Sequence, residues 1–125
     1  MNNKQILEIF WAAMESNDFL AASQLLHEEY SLHWPQSGER ILGRENFAAV
    51  NTNYPAEGKW HFEINHLLAE DDMVVTDVSV TEGRITGRAI TFSTIKDEKI
   101  WKQVEFWPDP FEAPAWRAQW VEKLK

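Results

Sequence analysis

Residues 60–107 read WHFEINHLLAEDDMVVTDVSVTEGRITGRAITFSTIKDEKIWKQVEFW, and this stretch decides the fold class. Apolar and β-branched residues alternate with polar ones along it, and short clusters of Asp, Glu and Gly interrupt the alternation. This pattern is typical of half-buried strands joined by tight turns. It predicts an antiparallel meander of four strands, over 60–68, 73–80, 85–95 and 100–107.

The chain before this stretch is helical in pattern. Apolar residues recur at helical spacing from Ile6 to Met14, and a second, shorter run spans Phe19–Leu26. A strand over Tyr30–Trp34 and a third helix near Arg44–Asn51 follow, and Ala115–Leu124 predicts a closing helix whose tryptophans hold the tail on the sheet or on a partner. Helices followed by strands favour an α+β fold with the helices on one face of a curved sheet.

Length, charge and composition exclude several classes of function. The 125 residues predict a single domain over 1–125, and 12 basic against 20 acidic side chains give a net charge of −8. Such a negative field repels nucleic acid and anionic membranes, so neither is an expected partner. Cysteine is absent, which excludes disulfides and thiolate chemistry, and the four histidines show no metal-binding spacing. No apolar run is long enough to span a bilayer and no leader pattern opens the chain, so we expect a cytoplasmic protein.

Several phrases in fixed order resemble one superfamily. Phe10–Phe19 matches its first helix, and His33–Phe47 matches its first strand and the short helix that follows. Asp97–Ile100 matches its hairpin turn, and Val104–Asp109 with Ala113–Arg117 matches its last strand and tail. In this order the phrases are similar to the nuclear transport factor 2-like superfamily, and within it to the SnoaL-like (polyketide cyclase-like) branch. The resemblance covers nearly the whole chain.

The resemblance implies a cone, in which a strongly curved, mixed or antiparallel sheet wraps around an N-terminal helical hairpin and a short third helix. An apolar pocket is then expected at the open end. Members of the superfamily include isomerases, cyclases, dehydratases and epoxide hydrolases, as well as non-catalytic binding and assembly modules, so the fold alone does not set the function. The resemblance also implies a homodimer through the outer face of the sheet. We expect no cofactor.

Two carboxylates are the candidate acid and base. Asp77 and Glu105 stand in otherwise apolar strands, where loss of hydration raises a carboxyl pKa and lets one group act as acid and the other as base. They fall near the catalytic acids of epoxide-hydrolase-like members. The alternative is that both are structural and pair with a neighbouring cation, namely Arg84, Arg88 or Lys102.

The sequence departs from the catalytic patterns of the superfamily at three positions. Val75 stands where epoxide-hydrolase-like members have an arginine, while Trp34 and Thr91 stand where isomerase-like members have acids. These departures favour either a different acid/base reaction on an apolar ligand or binding without catalysis. His66 is the expected proton shuttle, because it shares the strand set of Trp60 and because histidine side chains in general exchange protons near neutral pH.

Five further side chains are the expected ligand contacts: Trp34, Trp60, Thr91, Gln103 and Trp107. Large rings of this kind line pockets for apolar ligands, although the commoner role of such rings is to fill a core. Val74, Val78 and Val80 form an apolar set that we expect to cover a partner subunit. A third possibility is an assembly module in which the outer face carries the function and the cone is filled.

Overall fold

The computed structural model describes residues 1–124. Its α-helices are α1 (Asn3–Glu15), α2 (Phe19–Ser23) and α3 (Arg44–Asn53). Helix α1 begins at a capping box, in which Asn2 and Gln5 exchange side-chain and backbone hydrogen bonds and so satisfy the first free amide groups. None of the helices in the described residues has the length and the apolar character needed to cross a membrane.

Six strands form one strongly curled, mixed sheet around the helices. They are β1 (Leu26–Trp34), β2 (Glu39–Leu42), β3 (His61–Glu70), β4 (Met73–Thr81), β5 (Thr86–Lys96) and β6 (Lys99–Phe106). Their order across the sheet is β2-β1-β6-β5-β4-β3, with β1 and β6 parallel and the other neighbours antiparallel. This confirms the expected α+β cone with its meander from β3 to β6. The parallel pairing brings the end of β1 beside the end of β6, where the candidate site lies.

The concave face of the sheet carries the core. In β4, Val74, Thr76, Val78 and Val80 are buried, because they face the helices. Our expectation that these valines cover a partner subunit is therefore wrong. Alternation had identified the set correctly, but valines suit a core as well as an interface, and the helices take this face.

Two irregularities in the strand pairing determine which side chains of β3 and β6 lie on the convex face. Between Ile64 and His66 the register of β3 against β4 shifts, so that His66 pairs with Asp77 on the convex face. A second shift, where β5 meets β6, places Trp101 under the ammonium groups of two lysines on the same convex face. A bulge reverses the side-chain alternation that a straight strand would keep.

Three element predictions differ from the structure. The second helix ends at Ser23, and its last predicted residue, Leu26, already belongs to β1. The sequence pattern did not predict β2, which begins at Glu39, pairs with β1 and buries Ile41. The closing helix is a short 3-10 helix over Ala115–Trp120 with no buried residue, so its tryptophans do not hold the tail on this chain's sheet.

Thr76 offers a direct test of the core packing. Its side chain is fully buried among the valines of β4, and its hydroxyl has no hydrogen-bond partner in the part of the chain that the structure describes. A buried hydroxyl without a partner costs about 1–3 kcal/mol, so the near-isosteric Thr76→Val should raise the free energy of unfolding by about 1 kcal/mol. Urea unfolding measures this change. A loss of stability on this substitution would show that the hydroxyl is satisfied in the folded protein.

Candidate functional site

A cavity of about 550 Å³ lies between the helices and the concave face of the sheet. Its volume is in the range of pockets that bind small organic molecules. Many of its wall residues are aromatic: Phe10, Trp11, Phe19, Trp34, Phe47, Tyr54, Trp60, Phe62 and Trp107. We call this space the aromatic cavity.

Two side-chain amides fix the position of two wall tryptophans. Asn17, at the left-handed φ of 62° that ends the α1 turn, exchanges two hydrogen bonds of 2.8 Å with the backbone of Trp60. Gln36 accepts from the backbone amide of Trp107 at 2.6 Å and donates to its carbonyl oxygen at 3.1 Å. Both tryptophans are therefore anchored at their backbones by paired hydrogen bonds.

Glu105 is the buried carboxyl group of the cavity. Only 7% of the residue is exposed, although it contributes to the cavity wall. Its Oε1 accepts hydrogen bonds of 3.0 Å from the indole nitrogens of Trp34 and Trp107, and its Oε2 accepts one of 2.7 Å from the Thr91 hydroxyl. The polar partners that the described residues give this carboxyl are thus all neutral donors.

The surroundings of Glu105 raise its pKa. Burial disfavours the charged form, and the hydrogen bonds from Thr91, Trp34 and Trp107 offset this effect only in part. An indole N–H only donates, so Oε1 is committed as an acceptor twice. A proton bound by Glu105 therefore lies on Oε2, which still has one lone pair besides the one that Thr91 uses.

A second polar chain lies beside this carboxyl. The Tyr30 hydroxyl donates to Gln103 Oε1, and Gln103 Nε2 donates to Ser93 Oγ at 3.0 Å, all of them buried. Burial, and then the nearby charge of Glu105, raises the pKa of Tyr30 well above its usual value. Gln103 also contributes to the cavity wall, so this chain fixes the orientation of its amide.

The structure does not bring the predicted acid/base pair together. Asp77 lies on the convex face, where Arg88 Nε donates to Asp77 Oδ1 at 2.6 Å and His66 Nδ1 lies 2.9 Å from Asp77 Oδ2. The His66 side chain is 72% exposed. Asp77 has the ion pair with Arg88 that was the alternative interpretation, while Glu105 has no ion pair within residues 1–124. Asp77 and His66 lie on the convex face and Glu105 lies on the concave face, so our expectation that the three share a pocket is wrong.

Asp77 should contribute to acid stability rather than to the cavity. Arg88, then His66 and Asn65, hold the pKa of this carboxyl well below its ordinary value of about 3.9. Its stabilising contribution is therefore present above that value and is lost as the pH falls through the lower folded-state pKa. We expect Asp77→Asn to lose less stability than the wild type between pH 7 and pH 3, measured by urea unfolding. Equal losses in the two proteins would contradict this assignment.

The other predicted contacts are placed as follows. Trp34, Trp60, Gln103 and Trp107 line the aromatic cavity, and Thr91 lies behind Glu105 as its hydrogen-bond donor. The sequence did not predict the helical contribution to the wall, from rings such as Phe10, Trp11 and Phe47. Their helical spacing indicated burial but gave no sign that part of the buried face borders an open space.

The charges that line the cavity are all negative in the described chain. Glu105 lies within it, Glu39 and Asp109 are exposed wall residues, and no Lys, Arg or His of residues 1–124 contributes to the wall. A ligand with an anionic group would therefore enter without a charge partner.

Known proteins share this architecture. A putative ketosteroid isomerase from Kribbella flavida is 25% identical to the chain, with a TM-score of 0.88 over 98% of this chain and 90% of its own. A nuclear transport factor 2-like protein of unknown function from Burkholderia xenovorans is 29% identical, with a TM-score of 0.80 over 98% and 95%. An epoxide hydrolase from M. tuberculosis, at 15% identity and a TM-score of 0.69 over 85% and 82%, is similar in fold. No curated protein matches the chain.

The family assignment rests on a match across most of the chain. The family model described as SnoaL-like domain matches residues 7–103, from the first helix to the strand that carries Glu105. The chain belongs to the SnoaL-like domain family of the nuclear transport factor 2-like superfamily.

Proposed function

We propose that the protein binds a small, largely apolar molecule in the aromatic cavity and that Glu105 is the acid/base group presented to it. The observation that carries the proposal is the buried carboxyl group at the cavity wall, whose partners are two indole N–H groups and one hydroxyl. A group in this setting has a raised pKa, and a carboxyl with a pKa closer to neutrality both accepts and returns protons more effectively.

The binding part of the proposal is tested with 1-naphthylmethanol, a neutral aromatic alcohol small enough for the cavity. Isothermal titration calorimetry should show saturable binding to the wild type. Asp77→Asn, which changes the convex face only, should bind equally well. Absence of binding by this alcohol and by its amine and carboxylate analogues would contradict the proposal.

The catalytic part is cofactor-free proton transfer. In the simplest case the Glu105 carboxylate takes a proton from the carbon next to a ketone carbonyl at Oε2, which leaves an enolate. The proton exchanges with D₂O, and Glu105 returns a deuteron to the same carbon, so that the net change is isotope exchange. The probe is 2-tetralone in D₂O, followed by proton NMR. We expect the wild type and Asp77→Asn to accelerate exchange over buffer, and Glu105→Gln to give the buffer rate. Equal rates with wild type and Glu105→Gln would remove the catalytic role and leave the binding role.

Binding without catalysis is the second candidate. It is favoured by the position of Asp77 and His66 on the convex face, which leaves Glu105 as the buried carboxyl of the cavity in the described chain. A reaction that needs a separate acid and base on the two sides of a substrate would lack one of them.

We also propose that two copies of the chain associate through the convex face of the sheet. This face, rather than the valines of β4, exposes apolar side chains, among them Leu68, Met73 and Phe92. The partly covered Phe106 packs edge-on against Phe92, at 6.3 Å between ring centroids. Sedimentation should give a dimer mass for the wild type and a lower association constant for Phe92→Asp. A monomer at micromolar concentration would contradict the proposal.

A further inference from the structure

Within the described chain, no positively charged side chain lines the aromatic cavity to balance its carboxyl groups. Glu105 is buried, and its recorded partners within residues 1–124 are neutral. Buried charges in proteins are normally paired with an opposite charge. Asp77 shows the usual solution, because Arg88 holds it in an ion pair on the other face of the same sheet.

The hydrogen bonds around Glu105 suit its ionised form. Three donors converge on the two carboxyl oxygens, and the two indoles among them cannot accept a proton in return. A protonated carboxyl would find one acceptor, the Thr91 oxygen. The hydrogen-bond donors are thus placed to stabilise a carboxylate. Within residues 1–124, however, no cation lies in the cavity wall to pair with it.

The cavity wall can receive such a cation. Aromatic faces attract ammonium groups, most strongly where water is excluded, and Trp34, Trp60, Trp107 and Tyr54 all belong to the wall. Exposed carboxylates at the wall and a net charge of −8 also attract cations towards the opening.

We infer that the ligand of the aromatic cavity is an organic cation, an amine or ammonium compound with an apolar body, whose charged group pairs with Glu105 while the rings enclose the rest. The inference rests on the proposed binding function and names its ligand class. In this arrangement the ligand supplies the positive charge that the fold supplies to Asp77 through Arg88.

Three probes with one aromatic body test the charge preference. They are 1-naphthylmethylamine, which is cationic at pH 7, the neutral 1-naphthylmethanol and the anionic 1-naphthoate. By isothermal titration calorimetry at low salt, we expect the amine to bind the wild type at least about tenfold more tightly than the alcohol, and the carboxylate to bind most weakly.

Comparing Glu105→Gln with Asp77→Asn separates direct pairing with the buried carboxyl from the long-range attraction of the protein's net negative charge. Each removes one negative charge, so both should change long-range attraction equally. We expect the amine-to-alcohol preference to fall to near one in Glu105→Gln and to persist in Asp77→Asn. The inference is overturned if the alcohol binds the wild type as tightly as the amine, or if Glu105→Gln keeps the full preference. Binding of the alcohol alone would leave the proposed function standing, whereas absence of binding by all three probes would overturn both.

Discussion

Glu105→Ala should lower the free energy of unfolding by about 3 kcal/mol, and the melting temperature by roughly 10 °C. The substitution removes the shared acceptor of Trp34, Trp107 and Thr91. Each buried donor left without a partner costs about 1–3 kcal/mol, and water that enters the cavity restores part of this loss. Urea and thermal unfolding near pH 4 measure the effect.

Glu105→Gln is the matched control, because it keeps an oxygen for the indoles and places an amide donor beside Thr91. Its stability should stay within about 1 kcal/mol of the wild type at low pH. The raised pKa of Glu105 means that the wild type loses stability as the pH rises through the folded-state pKa, and Glu105→Gln should not show this loss. Equal stability of the Ala and Gln variants at every pH would contradict the described hydrogen bonds.

Phe47→Ala should be similarly destabilising, at about 3–5 kcal/mol. Phe47 lies on α3, is buried, and packs its ring against Phe10 and Tyr30 at centroid distances of 5.9 and 5.6 Å. Its loss also opens the cavity wall towards the core, so the affinity for 1-naphthylmethanol should fall as well.

Val50→Ala is the control on the same helix. Val50 also belongs to the cavity wall but is 37% exposed, so its truncation should change the free energy of unfolding by no more than about 0.5 kcal/mol. If Phe47→Ala costs no more than Val50→Ala in urea unfolding, the described packing of α3 against the core is wrong.

The sequence predicted the fold because alternation and turns are local signals. The four strands of the meander follow from residues 60–107 alone, and the first helix follows from apolar spacing that its buried residues confirm. The short strand β2 escaped prediction because its four residues bury only Ile41, which gives no alternation to detect. The closing 3-10 helix is shorter than the sequence predicted. Trp116 and Trp120 suggested a buried helix face, but they are 73% and 71% exposed.

The candidate site was predicted in part, for physical reasons. Glu105 stood out because a carboxyl group in an apolar strand is costly without partners. Those partners were not visible, since Trp34 is 71 residues away and reaches Glu105 only through the parallel pairing of β1 with β6. Asp77 carried the same local signal but lies on the opposite face. Alternation divides a strand into two faces without saying which one is covered, and a bulge such as that before His66 reverses the division.

The two faces of the sheet therefore give a buried or half-buried carboxylate different partners. On the convex face Arg88 neutralises Asp77, and the pair is part of the structure. On the concave face Glu105 has neutral donors and borders an open cavity, so its charge state is free to respond to what enters. This difference is the basis of the proposed function.

The most direct test of the central claim is a titration of the ¹⁵N-labelled protein with 1-naphthylmethanol, observed at the indole N–H signals. The indoles of Trp34 and Trp107 donate to Glu105 in the cavity wall, whereas those of Trp116 and Trp120 lie on the exposed tail. We expect the Trp34 and Trp107 signals to shift together and to saturate, with the tail signals unchanged. Saturable shifts confined to Trp116 and Trp120, with Trp34 and Trp107 unaffected, would contradict a ligand site at Glu105.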